Sequence, residues 1–149
     1  MADAVGVSKE DVQRRVLDKM SEYEGRSLFE QYAIFMGKSQ LLELALKGLL
    51  TRLFEVPFDS MERWTLGQTK GELEKKGLRP DFIHFLKSVV GHRNGMAHEF
   101  LANLTISRSI ASFSDRKIQG ELSKALYELE HLILFFDWCE EHDAWLPAA

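Results

Sequence analysis

Apolar residues recur along this chain at helical steps, and no segment sustains the strict alternation of a half-buried strand. Over residues 9–23, Val12, Val16, Leu17 and Met20 share one side, and Ser8 with Glu10 and Asp11 forms an N-cap region. A longer helix is predicted from Leu28 to Phe54. Its middle, LLELALKGLL, spreads Leu41, Leu42, Leu44, Ala45, Leu46, Leu49 and Leu50 over too much of the circumference for a helix with one wet face. Only a narrow polar row remains: Gln40, Glu43, Lys47 and Thr51. Such a helix is expected to be central, or to be buried on two sides with a partner on one of them. Pro57 ends it, and the glycine-interrupted stretch 58–77 predicts one or two short helices.

Pro80 suits the first turn of the next helix, with Asp81 placed to favour the positive end of its dipole. That helix is predicted over 80–103. A polar loop containing residues 107–109 follows, and Ser114 and Asp115 open the last helix. There Ile118, Leu122, Ala125, Leu129, Leu132, Phe136 and Cys139 alternate steps of four and three, as in a bundle. The fold class is therefore all-α, an antiparallel bundle of four to five helices in one domain spanning residues 1–149, the first 25 forming a peripheral helix.

One stretch departs from this pattern. Residues 91–100, GHRNGMAHEF, crowd arginine, asparagine and histidine into what would otherwise be an ordinary core helix. On a wheel advancing about 100° per residue from Phe82, Arg93 lands near 20°, inside the apolar arc of Leu86, Val89, Met96 and Phe100. Asn94 lies near 120°, on the edge of the arc, and His98 one turn later near 160°, beyond the edge. An arginine cannot deprotonate to escape burial, so it must be paired, reach a cavity, or meet an anion or partner. Gly91 and Gly95 thin the helix wall beside these groups, at roughly 1 kcal/mol each in helix propensity.

The chain is 149 residues long, with 45% hydrophobic and 28% charged residues, which suits one folded domain and argues against disorder. A net charge of −4 argues against bulk electrostatic attraction to nucleic acid, leaving only local basic patches. The one cysteine, Cys139, cannot form an intrachain disulfide, and no Cys/His spacing fits zinc. The start lacks a signal peptide's apolar core and no run is long enough to span a membrane. A soluble cytoplasmic protein is expected, without metal or cofactor.

Arg93-Asn94-Gly-Met-Ala-His98 has the form R-N-x-x-x-H, and on a late helix of a small all-α chain it resembles the signature of the HEPN superfamily. The resemblance covers about residues 28–140 in fold and 93–98 in motif. It implies a metal-independent endoribonuclease of toxin or defence type, working on RNA (tRNA or another structured RNA) as a homodimer, with an antitoxin or other partner protein in some members. Arg93 would then hold the scissile phosphate, Asn94 would orient the phosphate or His98, and His98 would act as general acid or base. Imidazole and guanidinium suit those tasks. The alternative is a non-catalytic module of the same kind that binds a protein or nucleotide. Some toxin members carry a tyrosine two residues after the histidine; here that position is Phe100, so control by modifying such a tyrosine is not expected. Members also often bring a polar residue from an earlier helix to the motif. Glu43 is the candidate, against an ordinary i,i+4 pair with Lys47. His92 is a further supporting candidate, against a place at the core border.

Among the remaining candidates, Lys70, Lys75, Lys76 and Arg79 read as a solvated basic cluster. His84, His131 and His142 lack ligand spacing, Trp64, Trp138 and Trp145 read as packing anchors, and Arg108 and Arg116 are weak candidates for a substrate path.

Overall fold

A computed structural model of the chain describes residues 8–100 and 113–147, the side chains of 113–115 excepted. Five α-helices are found among them, with no strand: α1 (Lys9–Met20), α2 (Leu28–Phe54), α3 (Leu66–Lys75), α4 (Pro80–Gly95) and α5 (Phe113–Glu141). Short 3-10 turns follow α1 at Ser21–Tyr23 and precede α3 at Phe58–Met61, and a π turn at Met96–Phe100 continues α4. The expected loop at 107–109, Arg108 and the end of the expected 80–103 helix lie outside the described residues. No described helix is long and apolar enough to cross a membrane.

Capping explains where the helices begin. The hydroxyls of Ser8, Ser27 and Thr65 accept from the backbone N–H three residues on, which satisfies donors that an α-helix start leaves open. Thr65 and Gln68 complete a reciprocal capping box. At the far end of α2, Glu55 takes the left-handed conformation that stops the helix two residues before Pro57.

The spine of the bundle is α5, which packs against α1, α2 and α4. Pairings run in the same direction along α2 and α5 (Gln31 with Gln119, Lys38 with Glu130, Arg52 with Glu140) and in opposite directions along α4 and α5 (His92 with Glu128, Phe82 with Phe135). Helices α2, α4 and α5 thus alternate up, down and up. Leu122, Ala125, Leu129, Leu132 and Cys139 are fully buried as their spacing predicts, but Phe135 takes the core position expected of its neighbour Phe136, which is half-buried.

Two faces differ from expectation. On α1, Val12 and Val16 are buried against α5 whereas Leu17 is 53% exposed. On α2 the leucines divide: Leu42, Leu46, Leu49 and Leu50 are buried, while Leu41 (66%) and Leu44 (54%) face out. In the polar row, Gln40 is exposed, Glu43 and Thr51 are partly covered, and Lys47 is buried. Lys47 is buried because the turn before α3 folds over it and the Trp64 carbonyl accepts from its Nζ at 2.9 Å.

Candidate functional site

The motif sits where α4 changes its winding. α4 keeps Phe82, Leu86 and Val89 buried on its inward row, and Arg93 follows them one turn later. From Met96 the helix widens into a π turn, an insertion that recurs at functional positions. Met96 and Phe100 stay buried through it, and Phe100 stacks on Tyr32 of α2 with ring centroids 4.8 Å apart and planes at 2°. That stack ties the motif's far end to the start of α2.

Within this frame Arg93 is partly buried, while Asn94 and His98 are exposed. No hydrogen bond or ion pair joins Arg93, Asn94 or His98 side chains to another described residue. Arg93 is therefore a guanidinium at the core's edge whose charge is not compensated by the described part of the fold. Around the helix, the partly buried Arg93 lies beside the exposed Asn94.

A cleft of about 270 Å³ opens on the other side of the same helix end. Gly91 and Gly95 form its wall on α4, and a Cβ added at either would meet nothing within 4 Å. Met96, Phe100 and Ile118 of α5 form an apolar floor. His92, Glu99, Glu121 and Lys124 supply the polar rim. The open wall expected from the two glycines is thus present, but it leads away from Arg93.

His92 borders that cleft and is fixed by Glu128 of α5, which accepts from its Nε2 and, at 2.6 Å, from Ser88 Oγ one turn earlier on α4. Glu43 makes no hydrogen bond or ion pair with Arg93, Asn94 or His98; it sits beside Lys47, Nζ to Oε2 at 3.4 Å.

Arg79 is not part of a solvated basic cluster. Its guanidinium makes two hydrogen bonds to Asp81 (2.7 and 2.8 Å), donates to the Ala144 carbonyl at 2.8 Å, and lies over the rings of Phe135 and Trp138. Burial pushes the Asp81 carboxyl up, but Arg79 and the Phe82 backbone N–H outweigh it and hold it below its ordinary value. Lys70 does pair at the surface, with Glu74. Trp145 is a buried anchor against Phe82 and Phe136. Burial lowers His131, and burial pushes the Cys139 thiol up to about 11, away from reactive thiolate.

A second charged cluster was not foreseen. Glu130, 4% exposed on α5, accepts from Tyr23 Oη and Lys38 Nζ, both at 2.5 Å. Burial, then the hydrogen bond to Glu130, pushes the Tyr23 phenol up to about 12. Its signal was in the chain: Leu126, Glu130 and Ile133 form an apolar row at steps of four and three, interrupted by an acid as the α4 row is by Arg93. Among the described residues no group of three or more His, Cys, Asp or Glu side chains is arranged to hold a metal ion.

The chain was compared with family models, curated proteins and solved structures, and no match was found in any of the three. The all-α bundle therefore stands on the chain's own physics.

Proposed function

We propose that the protein is a HEPN-like, metal-independent endoribonuclease of toxin or defence type that acts as a homodimer in the cytoplasm. The observation that carries this reading is Arg93: a partly buried guanidinium with no partner among the described residues, one position before an exposed Asn94 and one turn before the π turn that bears His98. An uncompensated cation at a core edge is costly unless an anion completes it, and an RNA phosphate is the anion the motif implies.

In the proposed reaction Arg93 binds the scissile phosphate and Asn94 orients it. His98 takes the proton of the ribose 2′-OH, whose oxygen attacks phosphorus. The bond to the 5′ oxygen breaks, that oxygen receives a proton, and the products are a 2′,3′-cyclic phosphate and a 5′-OH end. One imidazole cannot be base and acid in the same step. His98 of a second copy supplies the other role, which gives the dimer a chemical reason.

A second reading, a non-catalytic module that binds a protein or nucleotide, draws on the acidic cleft beside the motif and on the net charge of −4. Incubating wild type, Arg93→Ala and His98→Ala with tRNA and total RNA in EDTA separates the two. Cleavage by wild type alone, with cyclic phosphate ends, is expected. Folded protein in all three samples and intact RNA would leave the binding module.

A further inference from the structure

The cleft between the end of α4 and the start of α5 has a chemistry of its own. Its floor is apolar, and Phe100 within it is braced from behind by Tyr32. Its wall is glycine at 91 and 95, where side chains would fit and none is present. Its rim carries the carboxylates of Glu99 and Glu121, neither of which makes an ion pair or side-chain hydrogen bond with a described residue.

Two free carboxylates repel a phosphate, so this is not where an RNA backbone lies. A flat apolar ring bearing hydrogen-bond donors fits all three features at once: the floor stacks the ring, the glycines admit it, and the carboxylates accept from an exocyclic amine. We propose that the cleft binds an amino-bearing nucleobase (adenine, cytosine or guanine) in preference to uracil, through Glu99 and Glu121. Lys124 at the rim is placed to meet the sugar–phosphate that leaves the cleft. The His92 imidazole, anchored by Glu128, forms a fixed wall. The ligand is a free nucleotide or a base of an RNA chain. In the second case the inference rests on the RNA reading above, with the cleft selecting a base next to the strand that crosses His98.

Equilibrium binding of the full chain to adenosine, cytidine, guanosine and uridine, and to 2′-O-methyl trinucleotides of the same bases, tests it. The methylated oligonucleotides cannot be cleaved, so binding is read whether or not the protein is a nuclease. Amino-bearing bases should bind about tenfold tighter than uracil. Glu99→Gln and Glu121→Gln should erase that preference without unfolding the chain, and Gly95→Leu should fill the cleft and abolish binding. Trinucleotides binding more tightly than nucleosides would assign the cleft to RNA, and equal binding would assign it to a free nucleotide. Equal affinity for all bases, no binding at all, or Gly95→Leu binding like wild type would overturn the inference. Intact tRNA in the cleavage assay beside a retained base preference would instead remove the nuclease reading and leave the cleft.

Discussion

Two arginines stand at the two ends of α4, and they are opposites. Arg79, just before the helix, has its side chain 15% exposed and is satisfied by a bidentate carboxylate, a carbonyl and two aromatic faces. Arg93, at the other end, is also partly buried but has no partner among the described residues. The first arginine closes the fold by tying the α3–α4 connection to the segment after α5. The second contributes nothing of that kind to the described structure. Burial alone does not separate a structural charge from a functional one, whereas the list of partners does.

The sharpest way to break this comparison is to remove each guanidinium in turn. Arg79→Ala strips a charge-assisted pair, a carbonyl hydrogen bond and the ring contacts, and takes the guanidinium away from the half-buried Asp81. Because Asp81 keeps access to water, the expected loss is about 3 kcal/mol, the low end for a broken buried pair. Arg93→Met should leave the urea-unfolding stability within about 0.5 kcal/mol of wild type or raise it slightly, while abolishing RNA cleavage. Equal destabilisation by both would make Arg93 structural. The Asp81 carboxyl is held below its ordinary value of 3.8, so its contribution is present above that pH and is lost as pH falls through the lowered value. The stability gap between wild type and Arg79→Ala should therefore narrow below about pH 4.

The next largest effect belongs to the buried Tyr23–Glu130–Lys38 cluster, a satisfied counterpart to Arg93 on the opposite side of α5. Tyr23→Phe removes one hydrogen bond to a buried carboxylate and should cost about 2 kcal/mol. The phenol's folded value, raised to about 12, sets the sign of its pH dependence. A raised value favours the fold fully below the ordinary 10 and loses that advantage as pH climbs toward 12. Between pH 10 and 12, wild type should lose stability that Tyr23→Phe does not, as followed by far-UV circular dichroism in urea. Parallel curves for the two proteins would show that Tyr23 ionises as it does in water.

Much of this was legible in the chain because it follows from period and punctuation. Leu28–Phe54 between Ser27 and Pro57, the start of α4 at Pro80, and the four–three rhythm of α5 all rest on local rules. Three features were not legible, each for a physical reason. Arg79 lies between elements, where no wheel assigns it a side, and its partner Ala144 is sixty-five residues away. The π turn at Met96–Phe100 breaks the 100° step on which the reading of His98 depended. Leu41 and Leu44 face out while the turn before α3 covers Lys47, a choice made by tertiary packing that no hydrophobic count of α2 contains.

The smallest effect sharpens the contrast between packing and access. Gly67 on α3 has α4 beside it: a Cβ there would make ordinary van der Waals contact, 3.5 Å from Val90 Cγ1. Gly91, within α4, has nothing within 4 Å of the same point and borders the cleft. Ala at a helix-interior glycine with open space gains up to about 1 kcal/mol, through propensity and a less disordered unfolded chain. Gly91→Ala should thus raise the urea midpoint at unchanged slope. A Gly91→Ala variant that is less stable than wild type would mean the glycine serves the fold after all. A more stable one means the native helix forgoes stability at a position where packing does not ask for it, which leaves what enters the cleft as the reason for the glycine.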